Sequence, residues 1–362
     1  MKSSKDPVQV SWQRVCLIIL CVILALVLTV MMVATILVHQ FVDSLVGGDN
    51  SDLYGTLPSD VLASLASDPD YDPNFTGPSV DHSDVTSATL PSVPVDQLKA
   101  EGIINIMLIG EDRRPGQGRQ RSDSMILCSF NTKTNTITMI SFLRDTYIAN
   151  IPGYWADKLN AAYAYGGIKT MDQTFAQYFG VHIDAHIAIQ FDGFQQVIDM
   201  LGGVDIELTE KEANWMNKEW AKVGISLRVT PGMNHLNGEQ ALAYSRIRKL
   251  DMDAMRAGRQ RKVLTALINA YKSKPLGEMI TLATDILDTQ VNGHDMIQTD
   301  MTANEVIEYV KTLFPMLATA TINNQQIPAN GTYQEMNVGN VTATKVCDLE
   351  ANRKILQMIL GN

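Results

Sequence analysis

Cysteine is scarce in this chain: of the four present, Cys16 and Cys21 fall inside a long apolar run, leaving only Cys128 and Cys347 beyond it. Two thiols are too few for a disulfide framework or a cysteine metal site, and no bridge between them is expected. Also missing are the patterns G-x-x-x-x-G-K-[ST], G-x-S-x-G and G-x-G-x-x-G. Their absence removes the sequence signals for a P-loop, a nucleophile-elbow hydrolase and a dinucleotide fold. Residues 39–98 contain no Lys, Arg or Glu, yet hold ten Asp. The net charge of −10 therefore belongs to that stretch, and the remainder balances 29 basic against 29 acidic residues. Acidity of the whole chain excludes no anionic ligand, because the arginines of the remainder are free to form a local anion site.

What the chain does have, first, is an uncharged run from Val15 to Val38. At ~1.5 Å per residue a helix of that length crosses the ~30 Å hydrocarbon core of a bilayer. A cleaved signal peptide would be shorter and end in small residues, so a transmembrane helix is expected. Lys2, Lys5 and Arg14 precede the run, and the next basic residue is Lys99. The positive-inside bias then assigns residues 1–14 to a cytoplasmic tail and everything after residue 38 to the outside. Residues 39–98, rich in Ser, Pro, Asp, Gly and Thr, read as an acidic extracytoplasmic linker. A DNA-binding role is not expected, since only fourteen residues would remain in the cytoplasm.

From Lys99 onward, strand-like apolar runs alternate with helical periods, which argues one α/β domain over residues 99–362. Strands are expected at Ile103–Ile109, Met125–Phe130, Thr136–Ile140, Val181–Phe191, Val204–Leu208 and Ala320–Ile327. Helices are expected after Gly166-Gly167 up to Gly180, across Phe194–Leu201, from Asn237 through Tyr244, over Arg256–Tyr271, near Leu276–Leu287, over Thr302–Phe314 and over Ala343–Leu360.

Three stretches could carry chemistry. In IMLIGEDRRPGQGRQRSDSMILCSF, two apolar runs bracket a loop with Asp112, Arg113, Arg114, Arg121 and Asp123. Carboxylates beside guanidinium groups at the end of a buried strand suit Mg²⁺ bound together with a phosphorylated substrate, although solvated charge pairs give the same pattern. In ISFLRDTY, Arg144 and Asp145 close another apolar run. The third stretch, ALAYSRIRKLDMDAMRAGRQRK, carries Arg246, Arg248, Arg256, Arg259, Gln260 and Arg261. Arginine's planar fork suits oxyanions, so this density signals an anion site. Arg246 and Arg248 would point about 200° apart on a continuous helix, so both can serve one phosphate only if the helix ends there. Arg256, Arg259 and Gln260 have the i, i+3, i+4 spacing of one helix face. His182 and His186 lie ~13 Å apart along a strand, too far for one metal, and read as surface histidines. Tyr147, Tyr154, Trp155 and Tyr163 are expected to pack in a core, with contact to sugar or lipid as the alternative.

In order along the chain, GEDRRP, RSDSMIL, SFLRDTY, DKLNAAYAYGG, FDGF, LGGVDIEL, LNGEQALAYSRIR and DMDAMRAGRQRK resemble the LytR-CpsA-Psr family of cell-wall phosphotransferases. The resemblance covers about residues 100–362 and implies a single domain with a central mixed β-sheet flanked by helices. It implies transfer of a glycopolymer, such as teichoic acid or capsule, from polyprenyl pyrophosphate to peptidoglycan, with release of polyprenyl phosphate at the outer face of the cell membrane. A non-catalytic binder of the same lipid or polymer, or a polyprenyl-pyrophosphate hydrolase, are the alternatives. Carried over by motif, Asp112 and Asp123 would hold Mg²⁺. Arg114, Arg121, Arg246, Arg256 and Gln260 would bind the pyrophosphate, and Arg144 and Arg248 would act in catalysis. Asp145 would orient Arg144 or activate the acceptor hydroxyl. The family's usual Ser-Ile-Pro-Arg-Asp stands here as Ser141-Phe142-Leu143-Arg144-Asp145, without proline's preset φ.

Overall fold

The computed structural model describes residues 77–81, 83, 85, 100–111, 113, 118–222, 228–247, 250, 253–274, 278, 290–291, 294–295 and 297–361. The expected anchor at 15–38 and most of the expected helix near Leu276–Leu287 lie outside the described residues. Among those described, no helix is long and apolar enough to cross a membrane.

The first elements are β1 (Ser79–Val80), β2 (Ile103–Glu111), β3 (Ser122–Asn131), β4 (Thr136–Phe142), β5 (Tyr147–Ile148), β6 (Asp157–Lys158) and α1 (Ala161–Phe179). There follow β7 (Ala185–Gln190), α2 (Phe191–Met200), β8 (Val204–Leu208), α3 (Glu210–Lys222), β9 (Gly232–Leu236), α4 (Gly238–Ser245) and α5 (Asp253–Lys272). The last are β10 (Gln290–Val291), β11 (His294–Asp295), β12 (Ile297–Thr299), α6 (Ala303–Thr319), β13 (Thr321–Ile327), β14 (Tyr333–Val338), β15 (Val341–Cys347) and α7 (Leu349–Leu360).

Six strands form the central sheet in the order β12-β7-β2-β3-β4-β13. β7 runs parallel to β2 and β13 parallel to β4, whereas β2–β3–β4 is an antiparallel meander and β12 is antiparallel to β7, so the sheet is mixed. β2 reads IINIMLIGE, apolar at successive positions, which suits a central strand covered on both faces. Met107, Ile109, Met125, Leu127, Ile140 and Phe142 pack against α1 and α7. Ile106, Ile126, Cys128 and Met139, on the other face, meet Leu313 and Met316 of α6 and Leu264 of α5. Phe142, Phe175 and Phe179 close a triangle with centroids 4.7, 5.1 and 5.6 Å apart. Such pairs add about 0.5–1.5 kcal/mol each beyond their buried area. A second core, built by α2–α5 with β8 and β9, lies beside the sheet.

The structure differs from the sequence reading in four places. Ser79–Val80, expected in the linker, pairs with β14, and Val85 packs with Tyr147 and Val338, so the folded domain begins well before residue 99. The expected helix over Ala343–Leu360 starts only at Leu349, where Asp348 caps it. Its first part is β15, whose Val341, Thr342, Thr344 and Val346 are β-branched residues that favour a strand once β14 offers a partner. The helix expected after Gly166-Gly167 begins earlier, at Ala161, and bends at those glycines, where Gly167 has φ +66°. A Cβ on Gly166 would lie 1.8 Å from Thr170 Oγ1, so the bend is closed to any larger residue. The strand expected over Val181–Phe191 spans only Ala185–Gln190, and Phe191 opens α2 instead. Agreement is close at Gly180, which is left-handed, at β8, which spans Val204–Leu208, and at Asn237, which forms a capping box with Gln240.

Candidate active site

Three chain segments far apart in sequence meet at the carboxyl end of β4. The start of β3 supplies Asp123 and Ser124, the turn after β4 supplies Arg144 and Asp145, and the first half of α5 supplies Arg256 and Gln260. Arg144 Nη1 lies 2.9 Å from Asp123 Oδ1, and Arg256 Nη2 donates to the Asp123 backbone carbonyl at 2.7 Å. Ser124 Oγ donates to Gln260 Oε1 at 3.2 Å. Five of the residues singled out from sequence, Asp123, Arg144, Asp145, Arg256 and Gln260, are thus brought together.

Arg259 leaves this group. Its Nε is 2.9 Å from Glu212 on α3, and its Nη1 donates to the Ile247 carbonyl at 3.0 Å. On a helix, position i+4 lies about 40° from i, whereas i+3 lies about 60° to the other side. Arg256 and Gln260 therefore reach β3 while Arg259 turns to the second core. α4 ends at Ser245, the break that sequence required for Arg246 and Arg248 to cooperate, and Arg246 sits at the C-cap with its guanidinium 4.6 Å over the Phe191 ring. Asp112, Arg114 and Arg248 lie outside the described residues. Arg113 is turned to the end of β7 beside the Gln190 amide, whose oxygen, when turned inward, accepts from Nη2 at 2.5 Å and Nε at 3.2 Å.

Arg121, expected among the phosphate ligands, closes a fork-to-fork pair with Asp157 at 2.8 and 3.2 Å and also donates to Asn160 at 3.2 Å. Tyr165 donates its hydroxyl to the same carboxylate, and burial together with that carboxylate pushes the phenol well above its ordinary range. Arg119, not anticipated from sequence, is buried; its Nε and Nη2 donate to Ala164 O at 3.3 and 3.2 Å, and Nη2 also to Tyr165 O at 3.3 Å. Those carbonyls are released by the bend at Gly166-Gly167, so Arg119 satisfies acceptors that the broken helix would leave bare.

Asp145 is the electrostatic centre. Arg144 Nε stands 3.8 Å from it, Lys158 Nζ 3.5 Å and Lys345 Nζ 3.9 Å. Burial alone would raise its pKa, but Arg144, Lys158, Lys345 and Arg256 overcome that and hold it down to about 2. A carboxylate so acidic is a weak base at neutral pH, which favours orienting Arg144 over deprotonating a hydroxyl. Lys158 and Lys345 were missed by sequence reasoning. Lys158 stands in the DKLNAAYAYGG motif and was legible there, whereas Lys345 lies in β15, where nothing local marks it. Its place is set by a single bridge between Thr146 and Lys345, with Lys345 N donating to Asp145 O at 2.8 Å. Counting Arg144, Arg256 and the two lysines against Asp123, Asp145 and Glu335, which pairs Lys345 at 3.2 Å, cations still outnumber carboxylates, as an anion site requires.

Leu143, where the family pattern has proline, is buried and donates its N–H to Ile327 O at 2.7 Å. A proline has no such donor, so the chain replaces a preset φ with a hydrogen bond to β13. The turn is closed by Thr146, whose Oγ1 donates to Leu143 O at 2.7 Å.

Magnesium takes oxygen ligands, usually one or two carboxylates completed by phosphate oxygens and water. Asp123 fits that chemistry, its side chain 21% exposed at the mouth of the cluster. Asp145 does not, because the cations around it already neutralise it. Among the described residues no three His, Cys, Asp or Glu side chains form a metal cage; Asp112, the other expected ligand, lies outside them.

His186, expected on the surface, is buried. Its Nδ1 is 2.8 Å from Asp300, its Nε2 is 2.8 Å from Asp172, and its backbone N–H donates to Asp300 at 2.7 Å. Burial lowers its pKa, but the two carboxylates outweigh that and raise it to about 9. The alternation that marks a strand does not say which face is covered, and α1 covers this one. His182 is partly exposed beside Asp184. Cys128 and Cys347 are buried free thiols, each pushed up to about 12 by burial.

Comparison with known proteins places the chain in a family. The sequence profile of the LytR_cpsA_psr family matches residues 74–355. The chain is 36% identical over 189 residues to the polyisoprenyl-teichoic acid–peptidoglycan teichoic acid transferase TagT of Bacillus subtilis, a match spanning 51% of this chain and 57% of TagT. It is 35% identical over 268 residues to the similarly named TagU of Oceanobacillus iheyensis, covering 72% of this chain and 76% of TagU. Among solved structures, TagT bound to LIIa-WTA superposes with a TM-score of 0.56 at 28% identity, covering 72% of this chain and 92% of that one. This chain belongs to the LytR-CpsA-Psr family.

Proposed function

We propose that this chain is a membrane-anchored, extracytoplasmic phosphotransferase that moves a glycopolymer of teichoic-acid or capsule type from polyprenyl pyrophosphate to peptidoglycan, releasing polyprenyl phosphate. The observation that carries the reading is the meeting of Arg144, Asp123 and Arg256 beside the Lys158–Asp145–Lys345 cluster. Support comes from the names of its relatives TagT and TagU, both polyisoprenyl-teichoic acid–peptidoglycan teichoic acid transferases.

Phosphoryl transfer asks an enzyme for alignment and charge neutralisation more than for covalent chemistry. A bond forms between the acceptor hydroxyl oxygen and the sugar-side phosphorus as the bond from that phosphorus to the polyprenyl-phosphate oxygen breaks. The leaving phosphate takes up the proton the hydroxyl loses. In this proposal Arg144 and Arg248 face the charge that develops on the transferred group, while Arg114, Arg246, Arg256 and Gln260 hold the diphosphate. Asp145 orients Arg144. Arg121 acts through Asp157, fixing the wall of the site rather than presenting its fork to substrate. Asp112 and Asp123 would hold Mg²⁺, whose contribution when bound is to neutralise phosphate charge.

The run 15–38 is proposed as the anchor, with residues 1–14 in the cytoplasm and a linker from residue 39 to the folded domain, which brings the site to its lipid at the outer membrane face. The test uses the full chain in detergent micelles with Mg²⁺, a polyprenyl-pyrophosphate glycan and peptidoglycan. Expected are release of polyprenyl phosphate with glycan bound to peptidoglycan, and loss of at least about a hundredfold in rate for Arg144→Ala, the ordinary cost of losing an oxyanion donor. Release without attachment would mark a hydrolase. Binding without release would mark a non-catalytic carrier.

A further inference from the structure

Linked through Tyr165 and Asp157 to Arg121 is an aromatic ring that the chemistry above does not use. Trp155, in the loop between β5 and β6, is 47% exposed, whereas its neighbours Tyr154 and Tyr165 are half-buried and buried. A solvent-facing indole with no restraint would sample several rotamers, but this one is held along one edge and one side. Its Nε1–H donates to the Tyr165 hydroxyl at 3.2 Å, and its ring meets those of Tyr165 and Tyr154 at 5.0 and 6.0 Å between centroids. The supports are themselves braced. Tyr154 donates its hydroxyl to Tyr165 O at 2.9 Å, Arg119 donates to the same carbonyl, and Tyr165 donates to Asp157, the partner of Arg121. The loop is closed by Ile151 N donating to Trp155 O at 3.2 Å.

The ring is also close to the reacting residues along the chain. Trp155 precedes Asp157 by two positions and Lys158 by three, and the Lys158 ammonium reaches Asp145. We propose that Trp155 is a sugar platform, its open face stacking on a pyranose ring of the glycan handled at the arginine site. A pyranose presents a flat patch of C–H groups suited to an aromatic face, and a ring fixed in advance loses little freedom when it binds. The inference rests on the glycopolymer-transfer reading, and it covers a pyranose of the lipid-linked donor or of the peptidoglycan acceptor.

The test titrates the full chain in detergent micelles with chitotetraose, a soluble oligomer of N-acetylglucosamine, by calorimetry, which needs no turnover. Trp155→Ala is expected to weaken binding about tenfold, near the strength of one aromatic contact. Trp155→Phe, which keeps a face, is expected to retain most of it. In the transfer assay, Trp155→Ala raises KM for donor or for acceptor, and the substrate affected names the source of the sugar. Chitotetraose binding that depends on Trp155 in a protein without transfer activity would uphold the platform and sink the transfer reading. The proposal is overturned if wild type shows no saturable binding, or if Trp155→Ala, with its near-ultraviolet circular dichroism intact, binds as wild type does. It is equally overturned if the variant loses affinity only for phosphatidylglycerol vesicles, which would make the indole a membrane contact.

Discussion

Replacing His186 by Gln should remove a pH-dependent share of the stability of this domain. In the folded chain the imidazole is buried between Asp172 on α1 and Asp300 after β12, and its pKa rises from 6.5 to about 9. Tyr309 on α6 is the further titratable group facing Asp300. Because the folded state binds the proton more tightly than the unfolded chain, the contribution is complete below about pH 6.5 and disappears as pH rises through about 9. The gap in pKa corresponds to about 3 kcal/mol, since each pKa unit is worth about 1.4 kcal/mol. For a domain of this size that is a shift of roughly 6 °C or more in Tm. The assay is thermal unfolding of the full chain in detergent micelles, wild type against His186→Gln, across that window. The wild-type advantage should be largest near pH 6 and shrink by about 3 kcal/mol near pH 10. Groups common to both chains cancel in the difference. Parallel Tm curves for the two proteins would refute the clamp, whatever their absolute separation.

Two further changes test the wall of the site and the helix behind it. Leu143→Pro restores the family pattern but deletes the N–H that donates to Ile327 O, so it should lower unfolding free energy in urea by about 1 kcal/mol rather than raise it; a more stable variant would show that preset φ outweighs the bond. Arg259→Met leaves the buried Glu212 carboxylate with only its Thr209 donors and should cost about 3 kcal/mol in the same measurement, largely recovered when Glu212→Gln is added; equal losses in the single and double variants would place the cost in packing instead.

Local signals in the chain were strong where chemistry is short-range. The capping box of Asn237 and Gln240, the left-handed Gly180 and the apolar run of β2 depend on neighbours within a few residues, and each is where the periodicity puts it. Segments with two competing local preferences were misread. Val341–Cys347 carries β-branched residues next to a helical stripe, and only the presence of β14 decides for a strand. Face was the other blind spot: alternation around His186 marks a strand without saying that α1 lies over it.

The site divides along the same line. That Arg144, Asp123, Arg256 and Gln260 are candidates for one anion site was readable from residue type, motif order and helical spacing, because a guanidinium group's preference for oxyanions travels with the side chain; the fold brings the four together. Which arginines turn toward the site was not readable, since Arg121 and Arg259 find buried carboxylates of their own in Asp157 and Glu212. Nor was Lys345, which reaches Asp145 from a strand two hundred residues away in sequence. A residue's chemistry is a property of its own atoms, but its partner is whatever the folded chain places within about 4 Å, and that distance is set only when the layers pack.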